Sequence, residues 1–282
     1  MTYDNRAIGV FDSGLGGLTS VREIERLLPN ENIIYFGDTG RVPYGTRSAE
    51  TIVKYSRDDL RFLVGKSVKA VLVACGTVSS IALDTLEKES AVPIVGVVKP
   101  ASREAVRLSK KKGDSVCPSI AVLGTPATAK NGAYEKEILK IEPGAKVASV
   151  GCPMFVPLVE NGYTPKNNPV TLLVAKEYIS KLSGVAPSAI ILGCTHYPLI
   201  RETIESACLE VLGYVPEIVD AGACAAKELS ELLLKEGVCA DDKQSGSSEF
   251  FVSDETHNFG EIASAFLGRR IDKVSKVNVE KE

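Results

Sequence analysis

Two stretches of the chain read alike, and they constrain the fold more than anything else in it. One is Val71-Leu72-Val73-Ala74-Cys75-Gly76-Thr77, the other Ala189-Ile190-Ile191-Leu192-Gly193-Cys194-Thr195-His196-Tyr197-Pro198. Each starts as a short apolar, β-branched run, the pattern of a buried strand. Each then reaches a small residue, a cysteine and a Thr close to the start of a predicted helix. Strands of this kind belong in parallel sheets covered by helices on both faces.

The rest of the chain follows the same alternation. Strands are expected at Ile8-Gly9-Val10-Phe11, Ile33-Ile34-Tyr35-Phe36 and 93–98. A helix through Val21, Ile24 and Leu28 separates the first two, and Ser48 is an N-cap for another reaching about Val64. Lys99-Pro100 marks a crossing between domains, followed by a helix from Ala101 that ends in Lys110-Lys111-Lys112-Gly113. The pattern then restarts at Ser119-Ile120-Ala121-Val122-Leu123-Gly124-Thr125-Pro126. A strand over 145–150, a loop over 152–162 and a helix capped by Asn168-Pro169 lead to the Cys194 strand. Each half thus offers strand–helix, strand–loop–helix and a cysteine strand, a divergent internal duplication. A strand at 217–220, a helix over 221–235, a surface loop over 237–248, a strand at 250–252 and a helix over 255–267 fall outside that repeat. The expected organisation is α/β: two similar α/β domains with mainly parallel sheets. The first domain comprises 1–98 and 214–268, the second 99–213, and 269–282 form a loose charged tail.

Composition narrows the function. A chain of 282 residues with net charge −3 has no basic excess to attract nucleic acid, and no apolar run of membrane-spanning length. Residues 1–6 lack an apolar signal region, so export is not expected. Seven cysteines, an odd number without a C-x-x-C pair, argue for a reducing cytoplasm rather than a disulfide framework. Cys75, Cys194 and His196 lack zinc-finger spacing, so no metal is expected.

Chemistry concentrates at the two cysteines. A free thiol has a pKa of about 8.5, and a helix N-terminus lowers it. Asp12, in Phe11-Asp12-Ser13-Gly14-Leu15-Gly16-Gly17, could accept a proton from one thiol, and His196 could polarise the other. Two acid/base groups on opposite faces of one carbon are what stereoinversion through a carbanion requires. The glycine-rich turn could point its N–H groups at a substrate carboxylate.

At these residues the chain resembles the bacterial glutamate racemases of the cofactor-independent aspartate/glutamate racemase superfamily. The matching motifs are Phe11 to Gly17, Pro43-Tyr44-Gly45, Ala74-Cys75-x-Thr77, Pro157-Leu158-Val159-Glu160 and Gly193 to Pro198, in that order. The resemblance implies two α/β domains with the active site in the cleft between them, and interconversion of L- and D-glutamate without a cofactor, supplying D-glutamate for peptidoglycan, in a cytoplasmic homodimer. By position, Cys75 would serve the D face and Cys194 the L face. Asp12 would assist Cys75; His196, with Glu160, would assist Cys194. Asp12, Ser13, Pro43, Tyr44, Gly45, Gly76, Thr77, Thr195 and His196 would bind the substrate, and Asp38 matches a further acidic position. Gly76 departs from the family, which commonly carries Asn after the first cysteine. With the first strand at Ile8, an N-terminal effector-binding extension is not expected.

Plainer readings stand beside these. Asp12 could cap the first helix, Asp38 could be a turn residue, and Glu160 an exposed loop carboxylate. Cys117, Cys152, Cys208, Cys224 and Cys239 read as small buried apolar residues, and His257 as a surface or capping residue. A dinucleotide-binding oxidoreductase is the rival from another class, but the third glycine of its fingerprint would fall at Thr19. A non-catalytic amino-acid-binding module is a second rival. Within the enzyme class, a racemase for aspartate or another acidic amino acid is a third. Pyridoxal chemistry is disfavoured, since paired thiols need no electron sink.

Overall fold

A computed structural model of the chain describes residues 3–111, 117–166, 168–255 and 259–279. His257, Lys112 and Gly113 lie outside the described residues. The chain forms two compact units, one of residues 1–97 and 222–282, the other of 98–221.

The first unit begins β1 (Ile8–Asp12), α1 (Leu18–Leu27), β2 (Ile33–Gly37), α2 (Ala49–Gly65), β3 (Ala70–Val73), α3 (Gly76–Ile81), α4 (Leu83–Glu89) and β4 (Ile94–Gly96). The second holds α5 (Val98–Lys111), β5 (Ser119–Gly124), α6 (Pro126–Asn131), α7 (Ala133–Ile141), β6 (Lys146–Gly151), α8 (Phe155–Glu160), α9 (Pro169–Ser180), β7 (Ala189–Leu192), α10 (Arg201–Leu212) and β8 (Glu217–Asp220). The chain re-enters the first unit with α11 (Ala221–Glu236), β9 (Ser248–Val252), α12 (Phe259–Leu267) and β10 (Ser275–Lys276).

Both sheets are parallel throughout. The first runs β10-β9-β2-β1-β3-β4 and the second β6-β5-β7-β8. Four neighbouring strands of the first, β2-β1-β3-β4, therefore repeat the whole order of the second, which is the duplication read from the sequence. In each unit the first strand is central, and the cysteine strand is its neighbour: Phe11 sits between Phe36 and Val73, and Leu123 between Val150 and Leu192. β1, β3, β5 and β7 are wholly buried, which is why they read as unbroken apolar runs rather than alternating ones.

Local chemistry sets the helix starts. Ser48 accepts the Thr51 N–H, Thr125 accepts that of Thr128, and Asn168 accepts those of Val170 and Thr171. Pro126 and Pro169 follow their caps, where a missing N–H costs nothing.

Four segments differ from the sequence expectation. The helix expected from Ala101 starts at Val98, so Lys99-Pro100, beside the change of unit at 97/98, lies inside the first turn of α5, where a proline lacks no intrahelical partner. The expected loop over 152–162 contains α8, whose Pro157 likewise falls in its first turn. The return to the first unit comes after Ala221 rather than at 214, because Glu217–Asp220 pairs with β7. Within the tail, residues 269–279 are not loose: β10 extends the first sheet beside β9, and Val279 is buried in its core with Val277 packed against it.

Candidate active site

The cysteine of the first unit follows β3 at the carboxyl edge of the sheet, where parallel α/β folds place ligands. Cys75 is the N-cap residue of α3, with no side-chain capping bond. Its Sγ donates to Ser13 Oγ at 3.4 Å, from the turn after β1. Asp12 ends β1 and is buried. Its Oδ2 accepts the N–H groups of Gly17 at 3.0 Å and Gly14 at 3.3 Å. The glycine turn expected to cradle an anion thus folds around the carboxylate of its own first residue. Tyr35 Oη donates to the Gly14 carbonyl at 2.6 Å and holds the turn from behind.

These surroundings decide the state of the thiol. Burial pushes Cys75 up to about 12, and the Asp12 charge pushes the same way. Hydrogen bonds from Ser13 and the Val78 N–H oppose it without winning. The depression expected from the helix N-terminus is overridden, since α3 is short and the sulfur is buried beside a carboxylate. Gly76 and Thr77, also buried, form the first turn of α3.

Tyr44 belongs to a short 3-10 turn, Tyr44–Thr46, that packs against α3. Pro43 before it is exposed and Gly45 half-buried. The Tyr44 hydroxyl turns inward to Asp38 and Asp59, so a substrate would meet this segment through its backbone. Asp38 is buried and receives Arg41, Tyr44 and Ser253, which makes it more than a turn residue.

The second unit presents a different assembly at the equivalent edge. Cys194 follows β7, but α10 starts only at Arg201. Thr195 and His196 form a turn, and a 3-10 segment, Tyr197–Ile200 with Pro198 in its first turn, comes between. Cys194 is therefore not at an α-helix N-terminus, and its electrostatic partner is His196. The imidazole Nδ1 lies 3.8 Å from Cys194 Sγ and 3.4 Å from Thr195 Oγ1, and Nε2 lies 3.0 Å from Glu160 Oε1. Burial works against the imidazolium. Hydrogen bonds to Cys194 and Glu160, with their charges, win and raise His196 to about 10. Glu160, exposed at the end of α8, holds the far side of the imidazole that faces the thiol, an arrangement of the kind that can serve a nucleophile or acid/base group.

An aromatic cluster that the sequence does not announce holds this assembly. Phe155 meets Tyr178 and Tyr197 edge-on, each with centroids 5.1 Å apart, and ties α8 to the turn carrying His196. Tyr197 Oη donates to the Cys152 carbonyl at 3.1 Å. Cys152 is buried as expected, and burial pushes its thiol up, with Cys194 adding to the rise. Cys117, expected inside, is exposed. Among the described residues no group of three or more His, Cys, Asp or Glu is arranged to hold a metal ion. A cavity of about 520 Å³ in the first unit is lined by Arg41, Ser253, Asp254, Lys276 and Asn278, and holds none of the candidate residues.

The chain is thus a duplicated parallel α/β protein with a cysteine at equivalent strand ends of its two sheets. The chain belongs to the Asp/Glu/Hydantoin racemase family, whose model matches residues 8–229. It is 39% identical over 277 residues to the glutamate racemase of Geobacter metallireducens, covering 98% of each chain. Among solved structures, the glutamate racemase of Francisella tularensis in complex with D-glutamate superposes with TM-score 0.88 at 36% identity, covering 99% of this chain and 100% of that one. The glutamate racemase of Thermus thermophilus gives TM-score 0.83 at 36% identity over the full length of both.

Proposed function

We propose that the protein interconverts L- and D-glutamate by proton transfer between two cysteines, and so supplies D-glutamate for peptidoglycan. The observation that carries this reading is the placement of Cys75 and Cys194 at equivalent strand ends of a duplicated fold, each with its own acid/base partner. One thiolate takes the α-proton, breaking the Cα–H bond and leaving a carbanion. The opposite thiol then gives its proton to the other face, and the two sulfurs have exchanged protonation states. Cys75 serves D-glutamate and Cys194 L-glutamate. Asp12 assists the first and His196, oriented by Glu160, the second. Ser13, Pro43, Tyr44, Gly45, Gly76, Thr77 and Thr195 hold the substrate, with Asp38 behind Tyr44. The reaction so written assigns no cofactor, because the electron pair stays on substrate carbon and only protons move.

The dinucleotide-binding reading loses support from the glycine turn, whose Gly14 and Gly17 N–H groups are occupied by Asp12 rather than open to a pyrophosphate. A cytoplasmic homodimer belongs to the same proposal, supported by the odd set of free thiols and by the family resemblance. Among the described residues no helix is long and apolar enough to cross a membrane.

The test is racemisation of D- or L-glutamate in deuterated water without added cofactor. Loss of optical activity from either enantiomer, with α-deuterium in the product, is expected, and each Cys→Ser variant should fold but not turn over. No exchange with either enantiomer would overturn the reading.

A further inference from the structure

Behind the Pro43–Gly45 segment, buried acids outnumber the cations that face them. Tyr44 Oη donates to Asp38 Oδ2 and also lies 3.0 Å from Asp59 Oδ2. Both carboxyl groups are fully buried. Arg41 reaches three acids: Nε to Asp38 Oδ2 at 2.6 Å, one terminal nitrogen to Asp58 Oδ2 at 2.9 Å, and the other to Asp59 Oδ1 at 2.8 Å. Ser253 donates to Asp38 Oδ1 at 2.7 Å, and Arg61 to Asp58 Oδ1 at 3.3 Å.

The protons do not add up if every acid is ionised. A phenol has one proton, and Tyr44 gives it to Asp38. The second oxygen–oxygen contact, to Asp59, needs a proton of its own. Asp38 is the wrong source, because its Oδ1 accepts from Ser253 and its Oδ2 from Arg41 and Tyr44. Asp59 Oδ1 accepts from Arg41, which leaves Oδ2 as the oxygen that carries hydrogen. The charges agree. Asp38 and Asp58 balance Arg41 and Arg61, and an ionised Asp59 would be a third negative charge that has only a share of Arg41, which already meets Asp38 and Asp58.

We propose that Asp59 is held as a neutral carboxylic acid at neutral pH, and that its O–H bond to Tyr44 fixes the Pro43–Gly45 segment beside the Cys75 centre. Tyr44 and Cys75 share one hydrophobic cluster, so a shift of the ring reaches the thiol's surroundings. Asp59 is a positioning residue in this account. Its effect on turnover rests on the reading that Pro43–Gly45 holds glutamate. Burial pushes the Asp59 carboxyl well above the ordinary range, and Asp38 and Asp58 add to the rise against Arg41 and the Tyr44 hydrogen bond. A carboxyl raised in the folded state contributes stability at pH below about 3.9, its unfolded value. That contribution is lost as pH rises toward the folded value.

Asparagine can replace a neutral acid here. Its carbonyl would accept from Arg41 and its N–H would donate to Tyr44. Asp59→Asn is expected to keep the KM for glutamate within roughly twofold of the parent, whereas Asp59→Ala, losing the contacts with both Tyr44 and Arg41, raises KM roughly fivefold to tenfold with kcat less affected. At pH 8, Asp59→Asn should melt at or above the parent temperature, and Asp38→Asn below it. Infrared spectra of the parent should show a protonated carboxyl band that Asp59→Asn removes and Asp38→Asn retains. A band that survives Asp59→Asn, or an Asp59→Asn variant as unstable as Asp59→Ala, would overturn the proposal. The infrared and melting measurements need no turnover, so an inactive parent would sink the glutamate reading and still leave Asp59 tested.

Discussion

At the residue scale the two cysteines have contrasting neighbours. Cys75 is buried beside Asp12 and held as a thiol, pushed up to about 12. In the proposed reaction the ammonium group of an incoming amino acid would offset the Asp12 charge, so the thiolate would form where substrate is bound. Cys194 instead faces an imidazole that Glu160 and Cys194 itself raise to about 10. A histidine raised in this way contributes stability that is complete below its unfolded pKa of about 6.5. That contribution fades as pH climbs through about 10. Glu160→Gln removes one of the two groups that raise it, so the His196 titration should move to lower pH while the fold persists. Nitrogen-15 spectra can follow this, since the chain has only two histidines and a His257→Gln variant assigns the remaining signal. An unmoved His196 titration in Glu160→Gln would mean that the 3.0 Å contact does not hold the proton.

At the scale of elements, the turn after β1 depends on close backbone approach. A Cβ on Gly37, at the end of β2, would sit 2.4 Å from the Gly14 carbonyl oxygen, and one on Gly17 would sit 2.5 Å from Asp12 Cβ. The first obstacle is backbone already held by Tyr35, so it cannot swing aside. Gly37→Ala should therefore cost about 1–3 kcal/mol, as overpacking of a filled site does. It should also slow turnover by moving Ser13 off Cys75. Urea unfolding with a parallel rate assay checks both, and an unchanged midpoint would show that the turn gives way. Buried strands, Ser48, Asn168 and the two cysteine motifs are legible in the sequence because short-range patterns fix them. What escapes is set by more distant partners. Phe155 docks α8 on Tyr197, and Asp59 meets Tyr44 only after α2 has packed. Charge misleads at the C-terminus, where β10 gains its order from the edge of β9.

At the scale of the molecule, each unit owns a complete sheet, and the chain changes unit at matching points, after β4 and after β8. Damage to one sheet should therefore remain local in structure, while the proposed chemistry, needing a cysteine from each unit, should fail as a whole. The C-terminal segment allows this to be tested without touching a candidate catalytic residue. Arg269 pairs with Glu25 at 2.6 Å and lies over the Phe250 ring, Lys276 pairs with Asp254, and Val279 is 3% exposed. Truncation after Gly268 removes these contacts and uncovers the β9 edge. Loss of the buried Val279 alone is worth about 1.5–3 kcal/mol. Hydrogen exchange followed by mass spectrometry should show faster exchange in β9 and β2 and unchanged protection in β5 and β7. Turnover should fall along with the first unit. Equal loss of protection in both sheets would mean that the units unfold as one, and the separation of structural damage from chemical failure would not hold.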